Sequence, residues 1–245
     1  EFGYYTLAVT VTGALNILNG AAVQAFYPRL CELHARGEDA EFADTYHRGA
    51  QLVTVLFGSA VIILILRSSL ILQLWTQDAD LVERVAPLIS ILAFGNLLNG
   101  LMWIPFQAQL AVGWISLMMR TNIVAVLLIV PLILWVTPRY GPIGAAWVWV
   151  FLNVIYVSIG IHFMHLRLLT EEKWRWYFND VILPLGICFT ATFAVSMLFD
   201  ADGSNPLAGL LELALISFIA FVSAAAASSV VWKLIHKIAI SRGII

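Results

Sequence analysis

AAVQAFYPRLCELHARGED, residues 21–39, marks the point at which the chain leaves an apolar environment for water. No charged residue lies between Glu1 and Arg29, and this run exceeds the roughly 20 apolar residues that a transmembrane helix needs. Charged side chains then recur from Arg29 to Asp39. Because proline cannot donate a backbone hydrogen bond and restricts the residue before it, Pro28 is predicted to end or kink the first helix at this boundary.

The whole chain has the composition of a membrane protein. Of its 245 residues, 61% are hydrophobic and 11% are charged, whereas about 25% of the residues in soluble domains are charged. A net charge of −2 indicates no nucleic-acid partner, since such a partner needs a basic surface. Cys31 and Cys188 lack metal-ligand spacing, so no metal or cofactor is predicted. The chain begins at Glu1 without a signal peptide, and we expect it to be part of a longer protein.

Seven stretches are long and apolar enough to cross a bilayer. The charge-free run 85–119 is too long for one helix, and a turn near Gln107–Gly113 is predicted to divide it. The predicted spans are 4–27, 49–66, 84–106, 114–136, 142–165, 180–199 and 208–232. The fold class predicted is therefore an all-α, polytopic membrane protein.

The positions of lysine and arginine predict the orientation, because these residues favour the cytoplasmic side of a membrane. If the first span runs inward, ten of the 13 lie on that side: Arg29, Arg36, Arg48, Arg120, Arg167, Lys173, Arg175, Lys233, Lys237 and Arg242. The three on the outer side are Arg67, Arg84 and Arg139. Residue 1 is therefore predicted on the outer side and the C-terminus in the cytoplasm.

The charged segment 30–48 connects the first two spans. It predicts one or two short amphipathic helices, interrupted at Gly37 and lying along the inner face of the membrane. The apolar positions of these helices are Leu30, Leu33, Phe42 and Tyr46. We interpret His34 and His47 as solvated loop residues, with a ligand-binding role as the alternative.

The first span carries a polar stripe. At 100° per residue, its members lie within about 60° of one direction; they are Tyr5, Thr12, Asn16, Asn19, Gly20 and Tyr27, with Gln24 beside them. Because unpaired polar groups in hydrocarbon cost several kcal/mol each, this face must meet protein or water. Two interpretations remain open, namely a helix–helix seam joined by small and amide side chains and the wall of a hydrated cavity.

Two later spans repeat the pattern. The third has Asn96, Asn99, Trp103 and Gln107 on one face, and the fifth has Trp149, Asn153 and Tyr156. Pro105 is predicted to kink the third span. Amides can bond sugar hydroxyls and aromatic rings can stack on the apolar faces of pyranoses, so this combination suits a saccharide.

Ionisable residues within spans are candidates for function. Arg67 and Glu212 lie near outer ends, where interfacial placement accounts for them. Arg120 either snorkels to the inner surface or faces the cavity, where its guanidinium could hold a phosphate. The carboxylates of the outer loops have no nucleophile or orienting histidine beside them, so no catalytic residue is assigned and the protein is predicted not to be an enzyme.

The order and spacing of these features resemble a known family. Residues 3–33 (GYYTLAV through YPRLCEL), 70–81 (LILQLWTQDADL), 109–156 (QLAVGWIS through FLNVIY) and 165–185 (HLRLLTEEKWRWYFNDVILPL) resemble polysaccharide-biosynthesis membrane proteins. These are the oligosaccharide-flippase branch of the multidrug/oligosaccharidyl-lipid/polysaccharide exporter superfamily. The resemblance implies two six-helix bundles and two further C-terminal helices. Residues 1–167 would be five spans of the second bundle, and residues 168–245 the additional pair.

The resemblance also implies a function. Such proteins flip lipid-linked (undecaprenyl-pyrophosphate) oligosaccharide or polysaccharide precursors across the bacterial inner membrane by alternating access between the bundles. The implied partners are that substrate, membrane lipids and an N-terminal bundle of the same protein. The candidate cavity residues are Asn16, Asn19, Gln24, Asn96, Asn99, Gln107, Arg120, Asn153 and Tyr156. The family's cavity often carries cations for the pyrophosphate, and in these five spans Arg120 is the residue available for that role.

Three alternatives stay open at this point, and one of them is a purely structural scaffold. A cation-coupled multidrug exporter of the same superfamily would need an acidic residue deep in the bundle. A membrane glycosyl transferase or polymerase that uses lipid-linked sugars would need sizeable outer loops with acid or base residues, whereas the predicted outer loops are short.

Overall fold

The computed structural model describes residues 2–199 and 205–229, and within these ranges all secondary structure is helical. The α-helices are Phe2–Ala14, Asn16–Arg36, Asp39–Val53, Ser59–Thr76, Ala79–Leu101, Trp103–Ala111, Ser116–Ile155, Ile161–Arg167, Lys173–Arg175, Leu183–Ser196 and Pro206–Ala227. Three π-helical segments, Thr54–Gly58, Tyr156–Gly160 and Trp176–Ile182, join some of them. The predicted end of the last span at residue 232 and the basic residues Lys233, Lys237 and Arg242 lie outside the described residues.

Five continuous helical stretches have the length and apolar character of membrane spans: Asp39–Thr76, Ala79–Ala111, Ser116–Arg167, Lys173–Ser196 and Pro206–Ala227. A sixth is the pair Phe2–Gly20 and Gln24–Arg36, which is bent by 42°. The prediction of an all-α, polytopic membrane protein is therefore confirmed. We number the bent pair span 1, and the first two continuous stretches spans 2 and 3.

The 52-residue stretch Ser116–Arg167 reverses direction at Gly141, as its backbone angles and the contacts across it show. A straight helix of that length would measure about 78 Å, far more than the roughly 30 Å hydrocarbon core of a bilayer. Gly141 has φ 61° and ψ −152°, which is not helical. Across the reversal, the Tyr156 hydroxyl donates to Asn122 Oδ1 at 2.8 Å although 34 residues separate them, and Arg167 lies 4.6 Å from the Trp114 ring centroid.

This reversal divides the stretch into two antiparallel segments, 116–140 and 142–167, which we number spans 4 and 5. Lys173–Ser196 and Pro206–Ala227 are then spans 6 and 7. The turns at 37–38, 112–115 and 168–172 consequently share one side of the bundle, here termed the Gly37 side. The turns at 77–78 and at 141 lie on the opposite side.

Pro28 does not end the first helix, which continues to Arg36. The chain instead bends by 42° between Gly20 and Gln24. The proline ring would clash with the carbonyl four residues earlier, that of Gln24, so the distortion falls on the preceding turn. Gly37, with φ 70°, ends the helix by donating to the His34 carbonyl at 3.1 Å. The predicted surface helices are therefore extensions of spans 1 and 2.

Span 3 lies at the centre, in contact with spans 1, 2 and 5. Close approach depends on two glycines on its surface. A Cβ at Gly95 would lie 2.5 Å from Trp149 Cδ1, and one at Gly100 would lie 2.3 Å from Phe57 Cε1. Larger residues at these two positions would push the neighbouring helices away from span 3.

Spans 6 and 7 pack on each other and on span 2. Cys188, Ala220 and Ala224 meet Val55 and Ile62 in a small apolar cluster. Span 4 is the opposite case, because Ala125 is its one buried residue. The division between a bundle at residues 1–167 and an additional pair at 168–245 stays a prediction.

Candidate substrate cavity

A cavity of about 300 Å³ lies between spans 3, 4 and 5. Its residues come from the parts of these spans that approach the Gly37 side. They are Asn99, Met102, Trp103, Phe106, Gln107, Gln109, Leu117, Met118, Thr121, Asn122, Tyr156 and Gly160. Three of the sequence-predicted candidates therefore line one cavity, namely Asn99, Gln107 and Tyr156.

A break in span 3 forms one wall. The first helix of this span ends at Leu101 and the next begins at Trp103. Pro105 has no amide hydrogen for the carbonyl of Leu101, four residues earlier, which accounts for the break at this point. The turn after the break directs Trp103, Phe106 and Gln107 to the cavity.

The opposite wall comes from the hairpin at Gly141. Span 5 contains a π-helical turn at Tyr156–Gly160, a distortion that is frequent at functional sites. From this turn the Tyr156 hydroxyl donates to Asn122 Oδ1 on span 4 at 2.8 Å. This bond joins the two walls of the hairpin, and Thr121 lies beside it in the cavity lining.

Some cavity amides have unused hydrogen-bonding capacity. Gln107 is 9% exposed, and its amide makes no hydrogen bond with another described residue. Gln109 donates to the Pro105 carbonyl at 3.5 Å, while its Oε1 is buried without a partner among the described residues. The amides of Gln107 and Gln109 and the ring of Tyr156 can therefore bind a polar ligand that also has apolar faces.

Other predicted candidates join helices instead of lining the cavity. Asn96 Oδ1 accepts from Trp149 Nε1 at 2.9 Å. Asn153 is fully buried, accepts from Asn99 Nδ2 at 2.9 Å and donates to the Trp149 carbonyl at 2.9 Å. The Asn96–Trp149 and Asn99–Asn153 bonds cross from span 3 to span 5, so they form a polar seam behind the cavity.

The candidates on span 1, and Arg120 on span 4, lie outside this cavity. Asn19 is fully buried, and neither its Nδ2 nor its Oδ1 has a partner among the described residues. Asn16 is half-buried, whereas Gln24 and Arg120 are exposed. Arg120 directly precedes Thr121, which lines the cavity.

Sequence analysis missed several lining residues. Gln109 lies in the predicted turn, and Asn122 lies on a different helical face from Arg120, the candidate on the same span. A hydroxyl such as that of Tyr156 needs a hydrogen-bond partner in hydrocarbon. That requirement could have indicated a polar partner on a neighbouring span, and Asn122 is that partner. Naming the partner required the pairing of spans 4 and 5.

Comparison with known proteins gives one distant likeness. No family model matches the chain. A protein of Shigella flexneri named "Putative O-antigen transporter" is 24% identical to it over 168 residues. The match takes in 69% of this chain and 39% of that protein, so the chain spans about two fifths of the length of this relative. The fold is that of a multi-pass membrane protein, and the likeness is to a protein named as a transporter.

Proposed function

We propose that this protein is a membrane transporter that flips a lipid-linked oligosaccharide or polysaccharide precursor across the bacterial inner membrane. The observation that carries the proposal is the cavity between spans 3, 4 and 5. It is lined by aromatic rings and by amides with unused hydrogen-bonding capacity. The relative's name as an O-antigen transporter supports the same class of substrate. No cofactor or catalytic group enters this proposal.

The chemistry of the cavity suits a sugar. Polar groups without hydrogen-bond partners are costly inside a membrane protein. They are therefore rare there unless they stabilise the structure or bind a ligand. Gln107 and Gln109 can exchange hydrogen bonds with hydroxyls, while Trp103 and Tyr156 offer ring faces. A volume of about 300 Å³ is at the lower end of the roughly 300–1,000 Å³ of small-molecule pockets. We infer that it holds one part of a larger saccharide at a time.

Span 4 indicates how the cavity is completed. Its outward side chains are apolar and exposed, among them Ile123, Leu127 and Leu134, which are 56%, 69% and 70% exposed. We propose that lipid and an N-terminal bundle of the same protein cover this surface. Alternating access would then arise from movement of one bundle against the other.

The exposed and half-buried candidates have a place in this arrangement. Asn16 and Gln24 would face the path between the two bundles, where the head group passes. Arg120 would hold the pyrophosphate by charge-assisted hydrogen bonds near the cavity mouth. The undecaprenyl chain would stay in the bilayer beside span 4.

The test is transport by Gln107→Leu in the full-length protein, measured as delivery of lipid-linked saccharide in cells that lack the native transporter. We expect a loss of about three- to tenfold, the effect of removing one hydrogen bond. Asn179→Leu is the matched control, since Asn179 is an exposed amide on span 6. Equal transport by both variants at equal membrane abundance would refute the cavity as the substrate site.

A further inference from the structure

A second polar cluster lies away from the cavity, where span 2 meets span 6 and the turn before it. His47 is 1% exposed and Asp180 is fully buried. His47 Nδ1 contacts Asp180 Oδ2 closely, and His47 Nε2 lies 2.9 Å from Glu172 Oε2. The prediction that His47 is a solvated loop residue is wrong, because the helix Asp39–Val53 carries it into the protein.

The positions of the two carboxylates determine what the ring must carry. A neutral imidazole has one N–H donor, whereas the imidazolium has two. Both ring nitrogens of His47 face carboxylate oxygens, which accept hydrogen bonds and do not donate them when ionised. Both contacts can be hydrogen bonds only when the cluster holds one proton more than a neutral imidazole with two ionised carboxylates. We propose that His47, Asp180 and Glu172 form a proton-binding site that latches spans 6 and 7 onto span 2.

Neighbouring groups fix both carboxylates in place. Gln51 Nε2 donates to Asp180 Oδ1 at 2.7 Å, and the Gln51 amide oxygen accepts from Ser228 Oγ at 2.8 Å. Arg175 Nη1 donates to Glu172 Oε2 at 3.3 Å. The cluster therefore links span 2 to span 6 and to the residues that follow span 7.

The remaining charged and titratable groups around His47 come from its own helix and from spans 5 and 6. Tyr46 packs edge-on against His47, with ring centroids 5.2 Å apart. His165 on span 5 packs against Tyr46, with ring centroids 5.8 Å apart, and Lys173 and Tyr177 of span 6 lie in the same region.

His165 provides a contrast within the same region. Its Nδ1 lies 3.0 Å from the Ile161 carbonyl, and its Nε2 lies 3.3 Å from the Tyr46 hydroxyl. A carbonyl must accept and a hydroxyl can donate, so the neutral form of His165 satisfies both contacts. Of these two buried histidines, His47 alone requires the additional proton.

A separate ion pair holds the same helices on the opposite side of the bundle. Arg67 Nη2 lies 2.7 Å from Glu212 Oε1 on span 7 and donates to the Phe199 carbonyl at 2.9 Å. The sequence placed both residues near outer ends of their spans, and the structure pairs them. Because arginine stays charged throughout the physiological range, this contact persists when the His47 cluster loses its proton.

Proton loss would therefore loosen the Gly37 side alone. A neutral His47 could donate from Nδ1 to the buried Asp180 carboxylate, and its unprotonated Nε2 would then face the Glu172 carboxylate, so that two hydrogen-bond acceptors meet with no proton between them. Losing one member of such a cluster is strongly unfavourable. Spans 6 and 7 would then separate from span 2 at this side while the Arg67–Glu212 pair retains the other.

The accessibility of Cys188 reports whether spans 6 and 7 are packed against span 2. Cys188 is fully buried in the cluster with Val55 and Ile62 of span 2. In the full-length protein, alkylation of Cys188 by N-ethylmaleimide is measured by mass spectrometry from about pH 6 to about pH 8.5, the range in which histidines change charge. Because thiolate formation also accelerates the reaction as pH rises, each rate is divided by that of Cys31 in the same molecule.

We expect the ratio in the wild type to rise about tenfold over this range, the effect of losing one charge-assisted hydrogen bond. His47→Arg, with a permanent charge, should keep the ratio low at every pH. Glu172→Gln should do the same, because its amide can donate to Nε2 of a neutral His47 while Nδ1–H donates to Asp180. His34→Gln, a change at an exposed histidine, should behave as the wild type.

A wild-type ratio that does not change with pH would overturn the proposal. So would Glu172→Gln that responds to pH as the wild type does. If His47→Arg does not fold, Glu172→Gln still decides, because it removes the need for the proton without removing the histidine.

Discussion

Replacing Gly141 by alanine distinguishes a hairpin from a straight helix by the sign of the effect. Gly141 has φ 61° and ψ −152°, a region that residues with a Cβ almost never adopt and that costs them about 1–3 kcal/mol. The hairpin therefore predicts that Gly141→Ala destabilises the protein by about 1–3 kcal/mol. A straight helix predicts the opposite, since alanine in a helix is favoured over glycine by about 1 kcal/mol.

The assay is equilibrium unfolding of the purified protein in mixed micelles with increasing sodium dodecyl sulfate. Gly186→Ala is the matched control, because Gly186 lies inside the helix Leu183–Ser196 and an added Cβ would meet nothing within 4 Å. This control should stabilise by about 0.5–1 kcal/mol. If Gly141→Ala stabilises by as much as Gly186→Ala, the reversal, and with it the cavity between spans 3, 4 and 5, is refuted.

The same unfolding assay checks three further predictions. Arg67→Met should destabilise by about 3–5 kcal/mol because it removes the guanidinium that lies 2.7 Å from the buried Glu212 carboxylate, and the double variant Arg67→Met/Glu212→Leu should recover most of that loss; an additive double variant would contradict the pairing. Asn153→Leu should cost about 1–2 kcal/mol, since it strands Asn99 Nδ2 in the seam, and an unchanged stability would mean that the seam bonds contribute nothing. Asn19→Leu should be neutral or stabilising by up to about 1 kcal/mol, because both polar atoms of Asn19 lack partners among the described residues; a large destabilisation would reveal a partner for Asn19.

Local sequence was sufficient for the fold class, an all-α protein with long apolar helices. A helix satisfies its own backbone hydrogen bonds, so length and apolar content decide whether a segment can cross a bilayer. Pro28 was predicted to end or kink a helix at the membrane boundary. The structure has the kink one turn before the proline, and the helix then continues to Arg36 instead of ending.

The candidate site was predictable in part. Asn99, Gln107 and Tyr156 line the cavity, as their residue types and helical faces suggested. Asn96 and Asn153 share those types and faces, yet they bond across the seam between spans 3 and 5. Periodicity places an amide on a face of its own helix, but it does not tell whether that face meets a helix or a cavity.

The sequence by itself determined that this chain is a bundle of apolar helices with amides and aromatic rings at membrane depth, because helix formation and transfer into hydrocarbon depend on residues close together in the chain. Tertiary structure alone decided which polar groups meet. Asn122 and Tyr156 are 34 residues apart, and His47 and Asp180 are 133 apart. Their contacts depend on the rotation and vertical register of packed helices, and those are set by the fit of side chains over the whole interface and not by any local pattern.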